Sequence, residues 1–265
     1  SIYIKKNEKR IPTLFIGGSN DLEFPDPNTS IIRKYDFNLI LVEPLNTFLS
    51  KAIKKIKTLG YVRANEEFSK KLKNFTSYQV ALSSSDGNEK FYLGSHKNNT
   101  NSSLIGDAKN LLGKTRPLNG DVIDVETNTY ETLFMKNKLF TKKIDCFHLD
   151  LEGLDYLIIS QIIKFNKNNN LNLPALIEWE CNALTSEKNG DEILNILEEN
   201  GYKNFHLNKF YDYSGWGDIL SIHNDTLKML GHCFLNQKEI SLPFLLARII
   251  KKGQRKLEHF VFLLK

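Results

Sequence analysis

A run of ionisable side chains from Asp145 to Gly153 is the part of the chain best suited to chemistry. In an extended segment successive side chains point to opposite faces, so the apolar residues of this run share one face and His148, Asp150 and Glu152 share the other. A carboxylate or an imidazole at such a place can accept a proton from a reacting group. We therefore predict that these three are catalytic residues, with the alternative that Asp150 holds a cofactor while Glu152 caps the next helix.

Two earlier motifs indicate a nucleotide as the ligand. Gly17 and Gly18 follow an apolar strand, and a residue without a Cβ lets the backbone approach a ligand closely. The apolar segment 38–43 ends in Glu43, 25 positions after Gly18, which is near the ~20 positions expected for an acid that binds ribose hydroxyls. Because ligands of open α/β sheets bind at the carboxyl ends of the strands, these motifs and Asp150 would meet in one site.

The elements that must position these residues alternate along the chain between strands and helices, which predicts βαβ units and a mainly parallel sheet. We predict strands near residues 12–16, 38–43, 77–82, 144–150, 174–180, 203–207 and 217–223, and helices near 48–59, 154–165 and 187–199. After a turn at residues 83–87, residues 90–93 could pair back as a short strand.

The ordered set of motifs resembles the FkbM family of S-adenosylmethionine-dependent methyltransferases. That family carries a glycine-rich first loop, Glu-Pro after the second strand, Ala-x-Ser with Asp-Gly after the third, a Ser-Ser-Leu, an Asp-x-Glu-Gly strand and a final hairpin. The matching positions are Gly17-Gly18, Glu43-Pro44, Ala81-Leu82-Ser83, Asp86-Gly87, Ser102-Ser103-Leu104, Asp150-Leu151-Glu152-Gly153, Gly201-Tyr202 and Gly217-Asp218-Ile219-Leu220. The resemblance extends over residues 11–224 and rests on the order of the whole set.

The resemblance implies a Rossmann-like class I methyltransferase fold: a seven-stranded, mostly parallel sheet with one antiparallel strand, flanked by helices. It implies S-adenosyl-L-methionine as the cofactor and assigns its binding to Gly17, Gly18, Ser19, Asn20, Glu43, Pro44 and Ala81. The first loop would surround the methionine part, Glu43 the ribose and Ala81 the adenine. Asp150 would lie beside the reacting methyl group. His148 stands where the family usually has lysine, so its role is not inherited.

The strand near residues 174–180 would deliver further side chains to the same edge. Strand alternation directs Trp179 into the core, so we assign acceptor binding to Glu180 and Asn182. Glu178 and Glu180 share a face, and with the acids of the preceding strand they could bind a divalent cation through oxygen ligands. We favour a site without a metal over this alternative.

These assignments predict an O-methyltransferase that transfers a methyl group to a hydroxyl of a glycan or small metabolite. A nicotinamide-dependent oxidoreductase is an alternative, since it shares the strand, glycine turn and distal acid, but the third glycine and a Tyr-x-x-x-Lys pair are missing. The second alternative is a binding module of this fold without catalysis. It is motivated by Phe15 and Asp21, where the family usually has an acid and a glycine around the first loop.

Charge and composition narrow the class of protein further. The net charge of +5 is contained in residues 248–265, so the remainder is neutral and a nucleic-acid partner is not expected. Three widely spaced cysteines predict neither a disulfide framework nor a zinc site. No apolar run approaches the ~20 residues of a membrane span, and the first residues lack a signal-peptide pattern, so the cytoplasm is the expected location.

Two regions are expected along the chain. Residues 1–230 form the methyltransferase domain, and residues 231–265 form a basic amphipathic helical extension. The apolar face of the extension is expected to pack on the same domain or on a second subunit, which would make a homodimer. The alternative is a weak contact with an anionic membrane surface.

Overall fold

The computed structural model describes residues 10–22, 27–64, 73–94, 102–105, 121–139, 143–182, 184–185, 187–207 and 217–235. The strands are β1 Thr13–Gly17, β2 Asn38–Val42, β3 Val62–Arg63, β4 Asn74–Tyr78, β5 Ala81–Leu82, β6 Gly87–Tyr92, β7 Val122–Asn128, β8 Cys146–Leu149, β9 Leu176–Cys181, β10 Tyr202–His206 and β11 Gly217–His223. The helices are α1 Pro27–Lys34, α2 Asn46–Thr58, α3 Tyr130–Lys136, α4 Asp155–Asn168, α5 Glu187–Glu199 and α6 Asn224–Leu235.

The main sheet has eight strands in the order β10-β11-β9-β8-β1-β2-β4-β3. The pairs that join β3, β4, β2, β1, β8 and β9 are parallel, and β11 runs antiparallel to both β9 and β10. The predicted mostly parallel sheet with one antiparallel strand is therefore confirmed. The short edge strand β3 adds an eighth strand to the seven predicted.

The third predicted strand is wrong in its extent. β4 pairs with β2 as far as Tyr78, which lies opposite Val42, the last residue of β2. The residues that follow Tyr78 therefore have no strand of the main sheet to pair with. Ala81 and Leu82 instead form β5 of a second sheet, which has the order β5-β7-β6. Residues of β6 pair antiparallel with β7 rather than with the third strand, which corrects the predicted pairing of residues 90–93.

Helices cover both faces of the main sheet, because side chains alternate between faces along each strand. Leu14 and Ile16 of β1 pack in a core with α1, α2 and α6. Phe15 packs on the opposite face in a core with α3, α4 and α5. The predicted helices near 48–59, 154–165 and 187–199 are confirmed as α2, α4 and α5.

Strand β1 is the point at which the sheet reverses its order. From β1 the chain builds outward through β2 and β4 on one side, and later through β8 and β9 on the other. Such a switch point leaves a crevice outside the carboxyl ends of the two central strands, since the connections on its two sides diverge. The residues that follow β1, β2 and β8 therefore surround one crevice.

The predicted boundary at residue 230 lies within α6, which continues to Leu235. Residues 236–265 lie outside the described part of the chain, so the basic extension and its contacts with a second subunit or a membrane stay predictions. Among the helices that the structure describes, none combines the length and apolar character that crossing a bilayer requires.

Candidate active site

A cleft opens at the carboxyl ends of β1, β2 and β8. It contains about 600 Å³ of empty space, counting its open mouth. Seven of the predicted site residues line it: Gly18, Asn20, Glu43, Pro44, Ala81, Asp150 and Glu152. The structure therefore brings together the glycine turn, the acid after β2 and two acids after β8.

Gly18 occupies a position that only glycine can fill. Its φ is +70°, a left-handed conformation, and a Cβ would collide with the carbonyl oxygen of Asp150. The amides of Gly18 and Ser19 both donate to the carbonyl oxygen of Val42, at 3.0 and 3.1 Å, and the amide of Asp150 donates to Gly17 at 3.0 Å. These bonds hold the turn after β1 against the ends of both neighbouring strands.

Glu43 is buried at the end of β2, and the backbone around it holds its carboxylate. Oε2 accepts the amide of Asn20 at 3.0 Å, and Oε1 accepts the amide of Leu45 at 3.0 Å. Burial raises the pKa of Glu43 to about 7, and the nearby Asp150 adds to this, although the two backbone bonds lower it. A carboxylate has about four lone-pair sites, so it can still accept hydrogen bonds from ligand hydroxyls.

Gly17 and Ser19 support the cleft without lining it. Gly17 is the last residue of β1 and accepts the amide of Asp150, as described above. Ser19 is only 1% exposed, and among the described residues no group bonds to its hydroxyl oxygen. Asn20 follows with φ +47°, which turns its amide towards Glu43. The assignment of Gly17 and Ser19 to the cofactor remains a prediction.

One wall of the cleft is apolar, and most of it was not predicted from the sequence. The small sheet contributes Ala81 and Phe91, the start of α2 contributes Leu45 and Phe48, and the segment 102–105 contributes Leu104. Such a wall suits the flat, apolar faces of a nucleotide base. The sequence signal for this wall was weak. Phe91 lies in β6, and the partner strand β7, in which acidic and apolar side chains alternate, was not predicted as a strand.

Three carboxylates meet beside the cleft, where Asp150 and Glu152 line it and Glu180 does not. Asp150, Glu152 and Glu180 each place an oxygen within 4.8 Å of the other two. Burial raises the pKa of Glu180 well above its usual value, and the charges of Asp150, Glu152 and Asp155 raise it further. Oxygens so arranged can share protons or hold an oxygen-preferring cation. The predicted catalytic and acceptor-binding acids are thus neighbours.

Asn182 joins two of these acids. Its side chain is fully buried, and Nδ2 donates to Oε2 of Glu180 at 3.0 Å and to Oε2 of Glu152 at 3.3 Å. Its Oδ1 accepts the amide of Leu184 at 3.0 Å. The amide group is therefore engaged within the protein, so any effect of Asn182 on an acceptor passes through the carboxylates it holds. Its place in the acceptor site remains a prediction.

Glu152 does not cap the following helix, so that alternative is wrong. Helix α4 begins at Asp155, and its cap residue Leu154 makes no side-chain cap bond. Glu152 has φ +48°, and its carboxylate bonds to Asn182. Asp155, which was not predicted from the sequence, accepts the amide of Leu151 at 3.2 Å, and burial raises its pKa to about 7. An acid in the first turn of a helix was the signal that could have found it.

His148 and Trp179 lie outside the cleft. Nδ1 of His148 is 3.4 Å from Oε2 of Glu178. His148 lies within β8, one residue before its last residue Leu149. The structure does not bring His148 to Asp150 and Glu152 in the cleft, and its catalytic role remains a prediction. Trp179 is 1% exposed and donates to the hydroxyl of Ser221 at 3.1 Å, which confirms its predicted structural role.

A crevice at the switch point, a glycine turn and an acid after the second strand are the features with which open α/β folds bind nucleotides. The family profile described as Methyltransferase FkbM domain matches residues 16–203, so the chain belongs to the FkbM family of methyltransferases. Membership of this family implies S-adenosylmethionine as the cofactor and a methyl acceptor as the second substrate. It disfavours the nicotinamide-dependent oxidoreductase. It does not specify the acceptor.

Comparison with solved structures finds similarity to a methyltransferase FkbM from Methylobacillus flagellatus KT. The sequence identity is 7%, the TM-score is 0.46, and the alignment covers 80% of this chain and 44% of that chain. The present chain therefore spans less than half the length of that protein. A search of curated proteins finds no significant match.

Proposed function

We propose that this protein transfers the methyl group of S-adenosylmethionine to a hydroxyl of a glycan or small metabolite. The observation that carries the proposal is that Gly18, Glu43 and Asp150, which follow three different strands, line one cleft. Each matches a position of the FkbM motif set.

The side chains that line the cleft suit the chemistry of the cofactor. The remaining lone pairs of Glu43 would accept the ribose hydroxyls, and the wall around Ala81 and Phe91 would cover the adenine. Gly18 and Asn20 would contact the methionine part. When bound, S-adenosylmethionine supplies an electrophilic methyl group on a positively charged sulfonium. Glu43, Asp150 and Glu152 line the cleft, and carboxylates favour a cation when they are ionised, since opposite charges attract more strongly where water is excluded.

Asp150 is the acid best placed to meet the acceptor. It is the exposed member of the carboxylate cluster, whereas Glu152 is only 9% exposed. A hydroxyl that attacks a methyl group must lose its proton, and we assign Asp150 as the general base that takes it. Positioning of the hydroxyl in line with the methyl group supplies the remainder of the rate enhancement.

Glu180 would bind the acceptor beside Asp150. Its carboxyl group retains a proton more readily than an ordinary glutamate, because burial raises its pKa. A protonated carboxyl group can donate as well as accept, which suits a neighbouring pair of sugar hydroxyls. Asn182 would fix the rotamer of Glu180 through the bond to Oε2. An acceptor rich in hydroxyls and free of negative charge is therefore favoured.

Calorimetric titration with S-adenosylhomocysteine and with NAD tests the cofactor. We expect binding of the first and none of the second. Binding of NAD alone would overturn the proposal. The alternative of a binding module without catalysis predicts that the chain binds S-adenosylhomocysteine but methylates no member of a panel of sugars and small hydroxylated metabolites.

A further inference from the structure

We infer that Ser103, from the Ser-Ser-Leu motif, is a positioning residue that holds Glu152 in the conformation its carboxylate needs. The inference rests on the proposed function for its consequence, and on contacts of the described residues for its geometry. Ser103 itself does not line the cleft, whereas its neighbours Ser102 and Leu104 do.

The hydroxyl of Ser103 is fully engaged inside the protein. The residue is 1% exposed, and Oγ donates to the carbonyl oxygen of Glu152 at 2.9 Å while it accepts the amide of Ile105 at 3.0 Å. Its backbone pairs in both directions with Tyr92 of β6, at 2.8 and 3.0 Å. One residue thus joins the small sheet to the turn after β8.

That turn needs external support. Glu152 has φ +48°, which is unfavourable for a residue with a Cβ, and Gly153 follows with φ +100°. Gly153 packs closely against neighbouring side chains, and an added Cβ would lie 3.0 Å from Cδ1 of Ile105. The bond from Ser103 gives the Glu152 carbonyl a donor in this conformation. A buried carbonyl without a donor would favour a different backbone geometry.

Glu152 is consequently held at two points. Ser103 fixes its main chain, and Asn182 fixes its carboxylate beside Glu180. Loss of either would leave the residue in place but reorient the acid relative to the cleft. Because Ser102 and Leu104 flank the anchor, the apolar wall and the carboxylate cluster share one support.

Two measurements test the inference together: amide hydrogen exchange and the binding of S-adenosylhomocysteine, the product left when the cofactor has lost its methyl group. The variants are Ser103→Ala and, as a matched control, Ser221→Ala. Ser221 is also fully buried, and its hydroxyl likewise makes one donor bond, to Asn204 at 2.7 Å, and one acceptor bond, from Trp179 at 3.1 Å. It lies in β11, away from the cleft.

In Ser103→Ala we expect amides of residues 150–154 to exchange about tenfold faster and the Kd for S-adenosylhomocysteine to rise about fivefold. In Ser221→Ala both readouts should stay at the wild-type value, although the midpoint of thermal unfolding falls. Equal exchange of residues 150–154 in the two variants would overturn the inference. A wild-type protein that does not bind S-adenosylhomocysteine would overturn the proposed function instead, and the exchange result would still decide the role of Ser103.

A double-mutant cycle gives a second decision if Ser103→Ala alone is poorly folded. Glycine at position 152 adopts a positive φ without cost, so Glu152→Gly should make the turn less dependent on its anchor. We expect Ser103→Ala to lower the unfolding midpoint by about 2–4 °C in the wild-type background, and by less than half of that in Glu152→Gly. Equal losses in both backgrounds would contradict the inference.

Discussion

The backbone amide of Asn20 lies 3.0 Å from Oε2 of Glu43, so the loop after β1 is bonded to the acid after β2. The same carboxylate also accepts the amide of Leu45, which precedes α2. Glu43 therefore has two tasks: it organises the backbone of the cleft and offers its remaining lone pairs to a ligand. Substitutions at this residue should affect stability as well as binding.

Glu43→Ala should weaken binding of S-adenosylhomocysteine by about 1.5–3 kcal/mol, which is typical of hydrogen bonds to a charged group. It should also lower the free energy of unfolding by about 1–3 kcal/mol, because two amides lose their acceptor. Calorimetry and chemical denaturation measure the two effects. Glu126→Ala, at an exposed acid of β7, is the control and should change neither. Unchanged affinity in Glu43→Ala would remove the residue from the cofactor site.

Gly18→Ala should be far more damaging than alanine at another glycine of positive φ. Gly60 has φ +85° with open space around it, so Gly60→Ala should cost about 1–2 kcal/mol for the backbone conformation alone. Gly18→Ala adds a collision with the carbonyl of Asp150 and should displace the turn from the cleft. Thermal unfolding and S-adenosylhomocysteine binding should both separate the two variants. Similar behaviour would mean that the close approach at Gly18 does not matter.

The free protein should lose stability as the pH rises through neutrality. The pKa of Glu43 and that of Asp155 are each raised to about 7 in the folded protein, so the folded state binds more protons than the unfolded state between about pH 5 and 7. The stability contributed by these protons is present below the unfolded pKa and is lost as the pH passes the folded value. Unfolding midpoints measured from pH 5 to 8 should fall, and Glu43→Gln should reduce the slope.

Binding of S-adenosylmethionine should show the opposite trend. Its positive charge favours an ionised Glu43, so affinity should rise as the pH increases through about 7. Titrations at pH 6 and pH 8 give the comparison, with Glu43→Gln as the variant that lacks the dependence. An affinity that is independent of pH in the wild-type protein would show that Glu43 is already ionised in the free cleft.

Chelation should leave methyl transfer unchanged. The spacing of Asp150, Glu152 and Glu180 is that of a cation site. The cluster can be stable without a cation, because the raised pKa of Glu180 favours a bound proton and because the amide of Asn182 donates to Glu152 and Glu180. Activity measured with and without EDTA gives the result. A loss that Mg²⁺ or Mn²⁺ restores would assign the three carboxylates to a metal.

The sequence was informative where function depends on local pattern. Glu43 and Asp150 could be placed because each ends an apolar strand, and parallel strands deliver their carboxyl ends to one edge. The pattern of apolar residues in the sequence could not show that β4 ends at Tyr78, because the length of the partner strand β2 determines where β4 ends. The positive φ of Glu152 and the burial of Asn182 were equally inaccessible, since both follow from contacts between segments far apart in sequence.

Methyl transfer by the wild type and by Asp150→Asn tests the central claim most directly. Label from methyl-labelled S-adenosylmethionine would be followed into a panel of sugars and small hydroxylated metabolites. We expect label to appear in at least one acceptor with the wild type, and the rate to fall by about 100-fold or more in Asp150→Asn. Asp150→Asn keeps the size of the side chain and removes one negative charge from the carboxylate cluster, so the variant should unfold at or slightly above the wild-type midpoint and bind S-adenosylhomocysteine within about twofold. Equal rates for the two proteins would contradict the assignment of Asp150, and a wild type that binds S-adenosylhomocysteine but labels no hydroxyl acceptor would contradict the proposed O-methyltransferase.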